Sequence, residues 1–368
     1  MNKNRLLETF KALVSIGSPS FGERDMCDYL KEYLVKLGFE IFEDDTGSQT
    51  GGNSGNLYAY LDGDNNMAPL LFSSHMDTVE PAKGKRAIIH DDGKITSAGD
   101  TVLGADDFAG VCAILEAVKT ITESNLSHRP IELLFPAAEE HYGLGSQLFD
   151  YSRIKSKEAY VLDLTGPVGN AANKAATILT FAVNIKGKAA HAGFASADGI
   201  HAVLAAATAI TNIPMGQIDE ETTCNAGIIK GGIASNIIPA DCFVKGEIRS
   251  YSHEKAMAQA EIVKKEFESA AKAINAMANV EIICNLKAYE TDSGHPVVLR
   301  LKKACEALNL PFELRSTFGG SDNNNFALHG INGLVLSSAM ENCHSLDEYT
   351  YISEIEKLAE LTIELMTK

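Results

Sequence analysis

The stretch that most limits the fold runs from Thr177 to Leu286. Thr177 to Ile185 alternates as a strand, and Gly199 to Ile213 reads as an alanine-rich helix. Cys224 to Lys230 is a strand, and Asp241 to Ser250 alternates again, with Phe243, Gly246 and Ile248 set among charged residues. His253 to Met277 spaces Ala256, Ala260, Ile262, Val263, Phe267, Ala270, Ala271 and Ile274 along the inside of a long polar-faced helix. Val280 to Leu286 is the last strand. The order β-α-β-β-α-β is the ferredoxin-like split unit. It predicts a self-contained insert, residues 176–286, dividing an outer α/β domain into residues 1–175 and 287–368.

The flanks support that division, because short buried strands there alternate with amphipathic helices. Leu6, Leu7, Phe10, Leu13 and Val14 mark an N-terminal helix, and Ser20 to Glu23 reads as a capping box. Met26, Leu30, Tyr33, Leu34 and Leu37 form the stripe of the next helix, which stops near Gly38. Asp44 to Gly55 reads as a loop. Strands follow at 56–61, 69–73, Ile131–Phe135 and Ala159–Leu162, with a helix carrying Phe108, Val111, Cys112, Leu115 and Val118 between the second and third. After Tyr289 come a helix at Val297–Leu308, a glycine-rich loop at Phe318–Asp322, a strand at Gly333–Ser337 and a closing helix at Glu354–Met366.

Charge narrows the class of partner. The 368 residues carry a formal net charge of −17, which argues against nucleic acid and against an anionic membrane surface. No apolar run approaches the ~20 residues of a membrane helix. Charged and polar residues interrupt the N-terminal helix, so it is not a signal peptide. The seven cysteines are scattered, without a Cys-x-x-Cys pair, and are read as reduced thiols in a cytoplasmic protein.

The acids and histidines fall at particular places. Pro136 ends the strand Ile131–Phe135, and Glu139-Glu140 follow in a turn. Taken alone, the pair reads first as a solvated acidic loop, with a metal ligand beside a base as the sharper alternative. His75 and Asp77 follow the strand at 69–73 and alternate onto one side. Asp106-Asp107 open a helix, where an N-cap and a dipole-compensating acid are the plain alternative. Asp163 ends Ala159–Leu162, and His344 follows Gly333–Ser337. Ligands of an open α/β sheet bind off the carboxyl ends of its strands. Two imidazoles and three carboxylates without cysteine suit a hydrolytic zinc pair, one carboxylate bridging both ions. Asp77 and Glu139 remain, one to orient and one to handle protons.

This pattern resembles the co-catalytic zinc peptidases and deacylases that include peptidase T, aminoacylase and succinyl-diaminopimelate desuccinylase. The matching stretches are Ser74–Thr78, Leu103–Asp107, Ala138–Glu140, Leu162-Asp163, Ala190–Gly193, Gly231–Pro239, Gly319–Asp322 and Cys343–Ser345. The Gly-Ala-Asp-Asp segment and the chain length look most like peptidase T-like proteins. The resemblance implies that Asp106 bridges two zinc ions, for which cobalt or manganese can substitute. His75 and Asp163 would complete one ion, Glu140 and His344 the other. Glu139 would be the general base and then the acid, and Asp77 would support His75. From the insert, His191 and Asn236 would lie near the reacting carbonyl and Arg249 near a carboxylate, with Gly319 and Gly320 also contacting substrate. The insert of such proteins also serves as a lid and dimerises, so a homodimer is implied. Three stretches depart from the family pattern: His141-Tyr142, Ala195–Asp198 and the polar run Asp322–Asn325.

The expected activity is hydrolysis of a peptide bond in small peptides, of the aminopeptidase or tripeptidase kind. A deacylase acting on N-acyl amino acids is the alternative on the same metal core, and a non-catalytic peptide-binding relative is a further one.

Overall fold

A computed structural model describes residues 1–368 and divides the chain into two compact units. The first comprises residues 1–174, 290–316 and 321–368, the second residues 175–289 and 317–320.

The first unit is built on a twelve-stranded mixed sheet. At its centre Ile131–Phe135, Leu70–Ser73, Glu158–Thr165 and Asn332–Glu341 run parallel in that spatial order. Both faces of these strands are covered, which is why they read as nearly continuous apolar runs rather than clean alternation. Successive residues nevertheless feed different cores. Leu70, Phe72, Leu133, Tyr160, Leu162, Leu334 and Leu336 join the helices Lys3–Ser15, Ala105–Glu123 and Ile352–Thr367. Leu71, Leu134, Ala159, Val161 and Val335 pack on the other face with Phe149, Ile154 and Phe326. A one-residue slip in any of these strands would exchange its two sets.

The second unit has the order of a split β-α-β-β-α-β fold. Thr177–Lys186, Thr222–Gly231, Asp241–Ser250 and Met277–Leu286 form its four long strands, with a two-residue strand, Gly216–Gln217, on the outer edge of Thr222–Gly231. Pairing is antiparallel throughout. Leu179, Phe181, Val183 and Ile185 alternate from the first strand into a core with Ala202, Ala205 and Ala209 of one helix and Ala260, Val263 and Phe267 of the other.

Several boundaries differ from the sequence expectation. Thr317–Gly320 belongs with the second unit, because Gly320 packs against Leu286 and Ile178; a β-carbon there would lie 2.1 Å from Leu286 Cδ1. The Ser20–Glu23 capping box does not form. Glu23 is the N-cap residue of Arg24–Val35 without a side-chain cap bond, its carboxylate accepts from the Phe21 and Ala138 amides, and the Ser20 hydroxyl donates to Asp77. The loop expected at 44–55 holds a short helix, Thr46–Thr50. Asp163 lies inside Glu158–Thr165 rather than past its end, since pairing with Asn332–Glu341 carries that strand on to Thr165.

Candidate active site

Four chain segments converge at the carboxyl ends of the parallel strands. Leu70–Ser73 runs into His75, Ile131–Phe135 into Glu139-Glu140, and Asn332–Glu341 into His344, while Asp163 lies two residues before the end of Glu158–Thr165. Asp106 opens the helix Ala105–Glu123 with non-helical backbone angles (φ −80°, ψ 99°). It is therefore placed as a side chain aimed elsewhere, not as an ordinary first-turn residue.

Their atoms form two overlapping triads. Ligand atoms of His75, Asp106 and Asp163 lie within 4.8 Å of one another, as do those of Asp106, Glu140 and His344. Asp106 belongs to both. Its Oδ1 is 3.1 Å from His75 Nε2 and its Oδ2 3.2 Å from His344 Nε2. Glu140 Oε2 is 2.9 Å from the same His344 nitrogen. Glu139 stands outside both triads, with Oε2 3.9 Å from His75 Nε2.

Asp77 acts on this cluster in two ways. The His75 Nδ1 is 2.9 Å from the Asp77 carbonyl oxygen, which leaves Nε2 to face Asp106. The Asp77 carboxylate accepts from the amides of Glu139 and Glu140 at 2.9 and 3.2 Å. The adjacent acids Glu139 and Glu140 are thus held in place by the residue that also orients His75.

Electrostatics set these residues apart. Burial pushes the Glu139 carboxyl well above its ordinary value, against His75 and with help from Asp322, Glu140 and Asp77. Burial, then Glu139 and Asp106, push Asp163 up likewise. Burial raises Glu140 despite its hydrogen bond to His344. Burial works against a charged His75, yet hydrogen bonds to Asp106 and Asp77 raise it well above its usual range. His344 rises to about 10 through its bonds to Asp106 and Glu140. Burial thus drives Glu139, Glu140 and Asp163 toward neutrality, while the neighbouring acids drive the two imidazoles toward charge.

Three supporting acids have no role in the site as read from sequence, and Glu348 is not singled out at all. Asp107 is fully buried; it accepts from the Ser74 hydroxyl at 2.6 Å and the His75 amide at 3.2 Å. Glu348 is 2% exposed and accepts from the amides of Gly104 and Asp106 at 2.7 and 3.0 Å. Asp322 accepts from Ser146 at 2.5 Å, and Asn325 donates to the Gly143 carbonyl and to Ser146. The unusual polar run Asp322–Asn325 is therefore buried and braces the turn after Glu139-Glu140. Periodicity could not reveal Glu348, which lies in an exposed-looking stretch of polar sequence.

The remaining expected residues lie in the second unit. His191 is exposed; its Nδ1 accepts from the Gly193 and Phe194 amides, both at 3.1 Å, and its ring stacks on Phe194. Asn236 is exposed, and its carbonyl accepts from the Ala192 amide. Arg249 forks onto the Glu247 carboxylate at 2.6 and 3.0 Å and donates to the Phe318 carbonyl. The Gly319 amide donates to Thr317 Oγ1 at 2.9 Å.

The family model for peptidase family M20/M25/M40 matches residues 71–368. The chain belongs to this peptidase family. A relative from Bacillus subtilis, the uncharacterised protein YqjE, is 38% identical over 366 residues, covering 100% of this chain and 98% of that one. Among solved structures, an aminopeptidase PepT from Bacillus cereus is 37% identical with a TM-score of 0.93, and a tripeptidase from Staphylococcus aureus is 31% identical with a TM-score of 0.97. In both cases the match covers 100% of this chain and 98% of the other. The M20/M25/M40 chain is thus similar to peptidase T-type members, as its motifs led us to expect. A Bacillus subtilis structure described as a dinuclear metal binding peptidase of the family, 16% identical, shares the fold with a TM-score of 0.74. No helix is long and apolar enough to cross a membrane.

Proposed function

We propose that the chain is a di-zinc aminopeptidase of peptidase T type that cleaves small peptides, tripeptides above all. The observation that carries this reading is the sharing of Asp106 between two triads, with Glu139 beside them and in neither. The donor set fits a metal pair on this chain's own terms. The buried Glu140 Oε1 has no hydrogen-bond partner, although its neighbour Oε2 is bonded, and only two imidazoles offset the clustered acids. His75, Asp106 and Asp163 would hold one ion and Asp106, Glu140 and His344 the other. When bound, such a pair supplies Lewis acidity and lowers the pKa of water toward ~7.

The chain supplies the remainder. Glu139, raised by burial, is suited to take a proton from the attacking water and return it to the leaving amine. Asp77 fixes Glu139 through its amide, so the proton carrier and the His75 ring share one anchor. A cavity of about 340 Å³ opens beside Glu140, lined by Ser20, Thr78, Glu80 and His141 among others, a size suited to a short peptide end. His191, Asn236, Arg249, Gly319 and Gly320 are assigned to substrate on their motifs alone. A substrate carboxylate at Arg249 has to displace Glu247 from the guanidinium fork. Dimerisation through the second unit rests on the same resemblance, and the seven free cysteines support a cytoplasmic setting.

A substrate panel tests the proposal. Tripeptides and dipeptides with a free amino end should turn over, with loss on chelation and recovery on adding zinc. Preference for N-acyl amino acids would replace the peptidase reading by deacylation. Activity that survives complete metal removal would end the metal reading.

A further inference from the structure

The central sheet of the first unit has a second rim. Its carboxyl ends carry the cluster described above, whereas Arg129 precedes Ile131–Phe135 and Glu158 begins Glu158–Thr165, both at the amino ends. A cavity of about 400 Å³ lies there. Four cationic side chains line it, Arg129, Arg300, Lys303 and Lys368, with Glu364 as the acidic side chain among them and Glu158 paired to Arg300. Pro296, Leu299 and Ala304 form an apolar wall. Five-residue Ile131–Phe135 separates this place from Glu139, a span of ~17 Å at ~3.4 Å per residue.

The protein engages the two arginines and leaves the two lysines without an acid. Arg129 is 4% exposed, donates from Nη1 to the Ala68 carbonyl at 3.0 Å and from Nη2 to the Lys368 carbonyl, and its buried Nε–H has no partner. Arg300 gives Nη1 to Glu158 at 2.5 Å and also bonds the Tyr160 hydroxyl. Lys303 and Lys368 take part in no ion pair, unlike many surface lysines of this chain. Burial, together with the facing Arg300, lowers Arg129 to about 10. In a chain of net charge −17, a pocket with four cations beside Glu364 and Glu158 is a local reversal of sign.

We propose that this cavity binds a small aliphatic carboxylate, at a site separate from the catalytic cluster. A carboxylate matches the unpaired ammonium groups of Lys303 and Lys368, and a short branched hydrocarbon matches Leu299, Pro296 and Ala304. The volume lies near the lower end of the range for small-molecule pockets, so the ligand is of amino-acid size.

Calorimetry on the metal-stripped full chain at fixed low chloride tests this with three probes: 4-methylpentanoate, leucine and inorganic phosphate. Metal-stripping separates the result from the proposed catalytic reading. Saturable binding of a carboxylate probe is expected, weakened about tenfold or more by Lys303→Glu, since a charge-assisted contact is lost and reversed. Lys303 is exposed, so this variant should fold and keep the parent's peptide turnover. Arg300→Gln should weaken binding in the same direction. Leucine binding more tightly than 4-methylpentanoate assigns the ammonium to Glu364 and the source to amino acids; the reverse order assigns a simple acid, and both support the site. No saturable binding of either carboxylate below about 10 mM, an affinity of only ~3 kcal/mol, would overturn it. So would an unchanged affinity in Lys303→Glu, or phosphate binding more tightly than both carboxylates.

Discussion

Replacing Glu348 by alanine should disturb both triads at once, although Glu348 belongs to neither. Its carboxylate is 2% exposed and holds the amides of Gly104 and Asp106 at 2.7 and 3.0 Å. Alanine leaves both N–H groups buried without an acceptor, at ~1–3 kcal/mol each, so the metal-stripped protein should lose about 4 kcal/mol. At ~2 °C per kcal/mol for a unit of this size, the midpoint of its thermal transition should fall by roughly 8 °C. Asp106 is the shared member of the triads, so freeing its backbone should lower occupancy at both positions. His344→Ala provides the contrast: it removes a member of one triad only, and should leave about one ion per chain. Calorimetry and metal analysis on the parent and both variants decide the matter. A Glu348→Ala protein with an unchanged midpoint and full metal content would refute the argument that this acid positions Asp106.

Glu139→Gln should retain both metals while kcat falls ~10²- to 10⁴-fold, because the amide cannot carry a proton; parent-like turnover would remove Glu139 from that role. Gly110→Ala should destabilise by ~1–3 kcal/mol in urea titrations, although alanine ordinarily improves a helix by ~1 kcal/mol over glycine. The added β-carbon would sit 2.6 Å from Asp107 Oδ1, 2.6 Å from the Leu162 carbonyl and 2.8 Å from Ser74 Oγ, and a stabilised variant would contradict that packing. Acid stability depends on Glu43, for which burial alone would raise the pKa. Hydrogen bonds to Arg24 and Lys31, and then the Gly55 amide, hold it down at about 2. Its contribution is therefore complete above the ordinary value of ~4.5 and is lost as pH falls from there through about 2. In urea titrations of the metal-stripped protein, Glu43→Gln should be flatter than the parent across that window, and parallel curves would exclude the clamp.

Much of this was legible in the order of residues, because local chemistry leaves local marks. Periods of two and of about 3.6 mark strands and helices, so the β-α-β-β-α-β run from Thr177 to Leu286 and the buried strands around it could be read directly. Acids and histidines just beyond apolar runs pointed to the sheet's carboxyl rim, since side chains there project past the last paired residue. Placement in three dimensions was another matter. Asp106 is a shared neighbour only because Leu70–Ser73, Glu158–Thr165 and Asn332–Glu341 lie side by side, and residues as distant as His75 and His344 then meet at it. No local pattern singled out Glu348, and Asp322–Asn325 stood out only as a polar run; burial gave them amides and hydroxyls to hold. Asp77 looked like a partner for His75 alone, yet its carboxylate spans to the amides of Glu139 and Glu140. Sequence determined which segments become strands and which carry ligand chemistry, because both follow from neighbours along the chain. Tertiary structure decided which polar groups are buried against which backbone donors, because that depends on contacts between segments that no local pattern records.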